Sequence, residues 1–224
     1  MTDNLGFGKA ERRKGNVKIL SGETTFRDAF KLMLASVSEK HSFEECKEVL
    51  KKNIILDPGF KEFFRWCKAN DIPFVIVSSG MTPLIRAVLS NLLGDEDAAT
   101  IDIISNDVEV FPDGKWEIKY RHPTSGFGHD KSQAILPYKL LSDPPTLFFF
   151  GDGVSDMSAA RHADVLYVKT IEGNENDLHA YCTREGIKHV PFTDFSQALE
   201  SVQSIVTGVR TKEEVLEAAA SLTV

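Results

Sequence analysis

The sequence predicts an α/β protein: a parallel sheet with helices on both faces, a small helical segment before it, and one short β-hairpin. Three observations carry that prediction. Short apolar runs at 74–77, 101–104, 147–150 and 165–168 are each bounded by turn or cap residues, as strands buried on both faces are. Helical stripes such as Met81, Leu84, Ile85, Val88, Leu89 and Leu92 lie between these runs, the pattern of helices covering such a sheet. The 224 residues are 42% apolar and 26% charged, a globular balance long enough to bury a substantial core.

In chain order, Phe26, Ala29, Phe30, Met33, Leu34 and Val37 recur at spacings of three and four, as do Phe43, Cys46, Leu50 and Ile54. Each set is one face of an amphipathic helix. The first quarter is therefore helical, basic near Arg12-Arg13-Lys14, and without strands. Asp57-Pro58-Gly59 breaks the pattern, which sets a boundary between a helical segment, 1–57, and an α/β core, 58–224. Another stripe, Phe60, Phe63, Phe64 and Cys67, ends near Asn70. After the run at 74–77 a helix opens near Met81. Val108-Glu109-Val110 and Trp116-Glu117-Ile118-Lys119-Tyr120 flank Asp113-Gly114 and read as an antiparallel hairpin. From Thr211 a Glu- and Ala-rich helix closes the chain.

Lys plus Arg number 26 against 33 Asp plus Glu, net -7, which argues against general affinity for nucleic acid or an anionic membrane. No apolar run approaches the roughly 18 residues of a membrane span. The N-terminal MTDNLGFGKAERRK has no apolar h-region, so it does not read as a secretory signal. Cys46, Cys67 and Cys182 are far apart, without C-x-x-C or a His cluster at zinc spacing, and read as reduced, buried thiols. The expectation is a cytoplasmic protein without membrane contact.

Three local patterns can carry chemistry. The run Leu147-Phe148-Phe149-Phe150 leads into Gly151-Asp152-Gly153-Val154-Ser155-Asp156. Asp152 leaves the carboxyl end of a strand, where open α/β sheets hold ligands. Asp156 follows four residues later on the same side, so the two carboxylates converge and suit a hard cation such as Mg²⁺. The bare motif equally describes an N-cap aspartate followed by a surface carboxylate. Ser78-Ser79-Gly80 ends the run at 74–77 and opens a helix, a natural seat for phosphate on backbone N–H groups and a hydroxyl, or an ordinary N-cap. Lys131, in Gly128-His129-Asp130-Lys131-Ser132, falls in the first turn of a helix, where a cation opposes the helix dipole. A bound phosphate would account for it, as would plain solvation. His129 reads as a local hydrogen-bonder.

In this order the three patterns resemble the second, third and fourth motifs of the haloacid dehalogenase-like phosphatases, over essentially the whole chain. The likeness is greatest to the phosphoserine-phosphatase-like branch, near the methylthiopentenyl-1-phosphate phosphatases and their fungal relatives. Leu5-Gly6-Phe7-Gly8, Leu56-Asp57-Pro58-Gly59-Phe60 and Val77-Ser78-Ser79-Gly80-Met81 share that texture. The resemblance implies a Rossmann-like core in which 1–57 forms a helical cap. It implies that Ser78, Ser79, Gly80 and Lys131 hold substrate phosphate, and that Lys131 links that charge to the nucleophile. Asp152 would bind Mg²⁺ directly, while Asp156 would hold the metal through water or steady its neighbours. The substrate would be a small phosphorylated metabolite.

The family's first motif, D-x-D-x-T/V at the end of an apolar strand, supplies the nucleophilic Asp and the acid/base Asp. It does not occur here. Asp95-Glu96-Asp97 is the only D-x-D; it lacks the Thr, follows the second motif and reads as a solvated loop. The expectation is a chain that begins roughly 15–20 residues late, one strand plus its catalytic loop. Its turnover would be negligible, its sheet would lack a central strand, and an exposed sheet edge would promote oligomers. A non-catalytic phosphate-binding relative is the alternative. A nucleotide-binding Rossmann enzyme fits poorly, because Asp156 stands where the third glycine belongs.

Overall fold

A computed structural model describes residues 1–173 and 176–221. Two compact units divide the chain. The first comprises Met1–Ile55 with Phe74–Asp130, and the second Leu56–Pro73 with Lys131–Val224.

The first unit opens with α1 (Thr2–Leu5), α2 (Lys9–Leu20), α3 (Phe26–Ser38) and α4 (Phe43–Asn53). Thr25 caps α3 by accepting the Asp28 N–H, and Ser42 with Glu45 forms a capping box on α4. These caps start each helix where its apolar stripe starts. The stripe of α3 buries Ala29, Met33, Leu34 and Val37.

Strand β1 (Val75–Met81) pairs in parallel with β2 (Asp102–Val110), which pairs antiparallel with β3 (Trp116–Lys119). The runs 101–104 and 108–110, predicted as separate strands, thus fall, except for Ile101, in one nine-residue strand. Its first half serves the parallel ladder up to Asn106, and its second half, from Asp107, serves the hairpin. The hairpin turns at Gly114, whose φ of +84° suits glycine. Leu34, Val37, Phe43, Cys46, Met81, Leu84, Trp116 and Ile118 make the core of this unit. Trp116 is satisfied at its polar end, its indole N–H donating to the His41 carbonyl at 3.0 Å.

Between β1 and β2 run α6 (Thr82–Leu93) and α7 (Asp95–Ala99); α5 (Phe60–Ala69) lies in the second unit. Asp95-Glu96-Asp97 opens a short helix instead of a loop, with three carboxylates on the positive end of its dipole.

The second unit holds an all-parallel sheet, β4 (Phe148–Gly151), β5 (Val165–Lys169) and β6 (Val190–Phe192), in that order. Around it lie α5, α8 (Ser132–Lys139), α9 (Met157–Ala160), α10 (Asp177–Arg184), α11 (Phe195–Val206) and α12 (Lys212–Ser221). Val165 to Val168 are all buried, as expected of a strand covered on both faces. Phe150 stacks on Tyr167 at 4.6 Å, and Phe63, Phe192 and Phe195 pack edge-on or tilted around the pair. That aromatic cluster fixes the strand that leads into the glycine-aspartate turn. β1 and β4 each lie at the edge of a three-stranded sheet. No helix among the described residues is long and apolar enough to cross a membrane.

Candidate active site

Strand β4 ends at Gly151, and the chain turns through Asp152 and Gly153 into a 3-10 turn, Val154–Asp156, before α9. The turn folds back on its own carboxylate. Asp156 Oδ2 accepts the backbone N–H groups of Asp152 and Gly153, both at 3.1 Å. Asp156 Oδ1 accepts from Lys131 Nζ at 2.6 Å. Gly151 is required by this packing, since a Cβ there would lie 2.7 Å from the Asp156 carboxyl carbon.

Lys131 is the N-cap of α8 and does not sit in its first turn. Its side chain is 7% exposed and that of Asp156 5%, so plain solvation does not account for the lysine. The carboxylate offsets a cation placed against the helix dipole. The Lys131 N–H donates to Ser158 Oγ at 3.1 Å, which ties the residue to α9 from a second side.

Asp152 differs from Asp156. Its face is open to solvent, yet protein packed behind it, and then the negative charge of Asp156, raise its pKa against the pull of Lys131; Asp177 adds to the rise. A carboxylate in this setting gains from a cation. One open carboxylate beside a second that is already hydrogen-bonded suits an ion that retains much of its water and takes further oxygens from a phosphate, as Mg²⁺ does. Both oxygens of Asp156 accept hydrogen bonds, Oδ1 from Lys131 and Oδ2 from the backbone of Asp152 and Gly153. No group of three or more His, Cys, Asp or Glu side chains gathers at metal-binding distance among the described residues.

Ser78, Ser79 and Gly80 belong to the first unit, in the last turn of β1 before α6. The ladder breaks here: Ser78 pairs with Ser105 and Met81 with Asn106, so two residues bulge out on the β1 side. Ser78 Oγ accepts the Gly80 N–H at 3.0 Å, leaving its proton to donate. The Ser79 hydroxyl is buried without a hydrogen-bond partner among the described residues. Beside Gly80 an open cavity of about 230 Å³ is lined by apolar residues, among them Phe30, Leu34, Leu84 and Ile85, and is unsuited to an anion.

The structure thus gathers Lys131, Asp152 and Asp156 in the second unit and places Ser78, Ser79 and Gly80 in the first. Sequence reasoning missed Ser158 and Asp177. Asp177 begins α10, which follows the carboxyl end of β5; the rule that ligands gather at such ends was the available signal.

The profile of the haloacid dehalogenase-like hydrolases matches residues 5–161. The chain is 47% identical to Pdp3-interacting factor 1 of Schizosaccharomyces pombe, over 92% of this chain and 87% of that protein. It is 40% identical to polyol phosphate phosphatase PYP1 of Saccharomyces cerevisiae, over 97% and 90%. Among solved structures, a phosphoserine phosphatase from T. onnurineus aligns with a TM-score of 0.58 at 18% identity, covering 87% of this chain and 81% of that one.

Proposed function

This chain belongs to the haloacid dehalogenase-like hydrolases, and from that premise we propose that it holds, with Mg²⁺, the small organic phosphate monoesters that a member carrying the D-x-D-x-T/V aspartates hydrolyses. The observation that carries the reading is the buried Lys131–Asp156 pair set beside the open carboxylate of Asp152 at the end of β4. The likeness to a polyol phosphate phosphatase and to methylthiopentenyl-1-phosphate phosphatases supports a small phosphorylated metabolite as substrate.

In this reading the Ser78 and Ser79 hydroxyls are donors suited to phosphate oxygens within the first unit, and the Lys131 ammonium is a cation suited to phosphate charge within the second. Asp156 keeps that ammonium aimed and holds the turn that presents Asp152. Mg²⁺ held by Asp152 would supply further charge neutralisation at the phosphoryl group. These 224 residues contain no D-x-D-x-T/V, so no aspartate of that motif stands ready for covalent attack. By themselves they bind phosphate esters and turn them over negligibly. That same absence favours a second reading, a non-catalytic binder of phosphorylated ligands. A reducing compartment such as the cytoplasm suits its three free thiols.

The test is a Mg²⁺ titration followed by thermal unfolding, with and without polyol phosphates, methylthio-sugar phosphates and phosphoserine. Asp152→Asn abolishes the Mg²⁺-dependent rise in midpoint. Equal stabilisation of the variant and the parent would overturn the metal assignment. Turnover by the 224 residues at ordinary enzyme rates would show that the missing motif is dispensable, and would overturn the expectation of negligible hydrolysis.

A further inference from the structure

The seat at Ser78–Gly80 is a β-bulge, and a bulge in a buried strand leaves backbone carbonyls without ladder partners, which must be satisfied or lost as stability. Two buried side chains meet that need. His129, fully buried, lies with Nδ1 2.7 Å from the Ser78 carbonyl; a carbonyl only accepts, so Nδ1 carries the proton. Asn106, also fully buried, donates from Nδ2 to the Ser79 carbonyl at 2.8 Å. Its Oδ1 accepts the Arg121 N–H at 2.9 Å, which fixes the amide orientation. Its carbonyl accepts from Thr82 Oγ1 and Ser105 Oγ, both at 3.1 Å, so the first residue of α6 joins the same network.

Two consecutive carbonyls of the bulge are therefore drawn inward by separate donors. Ser79 Oγ is left buried, 8% of the residue being exposed, with no hydrogen-bond partner among the described residues. An unsatisfied buried hydroxyl is costly and marks a place where a ligand completes the hydrogen bonding. Building on the phosphate seat proposed above, we propose that Asn106 and His129 are positioning residues that hold the bulge in the shape of an anion seat, with the Ser79 hydroxyl as a donor beside Ser78. Neither touches the phosphate. Their effect passes through the Ser78 and Ser79 peptides, whose orientation sets where both hydroxyls point.

The experiment measures the affinity of the chain for inorganic phosphate by calorimetry, since binding needs no turnover, with thermal midpoints recorded for every variant. Ser78→Ala tests the seat itself. His129→Asn keeps an N–H close to the place of Nδ1, while His129→Leu removes it; Asn106→Leu removes both hydrogen bonds of that amide. The expected result is phosphate affinity roughly tenfold weaker in His129→Leu and Asn106→Leu, the loss of about one charge-assisted hydrogen bond. His129→Asn stays within about twofold of the parent, a rescue that mere space-filling does not produce. Parent and Ser78→Ala binding phosphate equally, or not at all, would overturn the seat and the clamp together. Clear binding by the parent, weakened in Ser78→Ala but unchanged in folded His129→Leu, would overturn the clamp alone. If Asn106→Leu does not fold, the two His129 variants decide the matter.

Discussion

Removing the ammonium from the Lys131–Asp156 pair tests the centre of the site. The two charges lie 2.6 Å apart with side chains 7% and 5% exposed. At an effective dielectric of about 20 their attraction is about 6 kcal/mol, offset by several kcal/mol of lost hydration. The net worth of the pair is therefore small, but the cost of breaking it is not. Lys131→Met leaves Asp156 buried with only its two backbone donors, at a cost of about 3–5 kcal/mol. In a chain of this size that lowers the unfolding midpoint by about 6–20 °C. Lys131→Met with Asp156→Leu removes both charges and is expected to recover most of the loss. The assay is urea and thermal unfolding of the parent, both single variants and the double variant, read as a cycle. A single-variant loss below about 1 kcal/mol, or a double variant as unstable as the sum of the singles, would refute a coupled buried pair.

Gly151→Ala forces a methyl against an Asp156 carboxylate held by three hydrogen bonds; it is expected to cost about 1–3 kcal/mol in urea unfolding and to weaken Mg²⁺ binding. Burial raises the pKa of Cys46, Cys67 and Cys182 to about 11 each, so the native protein should react slowly with a thiol reagent at pH 8 and yield its thiols only on unfolding. His189 Nδ1 lies 2.8 Å from the Ile187 carbonyl and its Nε2 meets His179 Nδ1 at 2.8 Å. Burial, then the charge of His189, lowers the His179 pKa from 6.5. The unfolded chain takes up that proton first, and stability should fall as pH drops through about 6.5; His189→Gln reduces that dependence, and an unchanged midpoint between pH 7.5 and 5.5 would count against the pair.

The sequence alone determined the elements whose side chains repeat at a helical period or run apolar between turns. The stripes of α3, α4 and α5, the runs of β4 and β5, and the Asp113-Gly114 hairpin are all local patterns, fixed by burial of one face or both. It also singled out Ser78, Lys131, Asp152 and Asp156, because glycine turns and helix starts at strand ends are written in a few consecutive residues. Short elements escaped it. β6 is three residues with Pro191 at its centre, too brief to show a period, and β2 was divided because one strand serves two different ladders. Only tertiary structure decided who partners whom. Lys131 finds Asp156 across 25 residues of chain, and Asn106 finds the Ser79 carbonyl across 27. Such contacts are set by the packing of whole strands and helices, and buried polar groups accept only the partner that packing delivers.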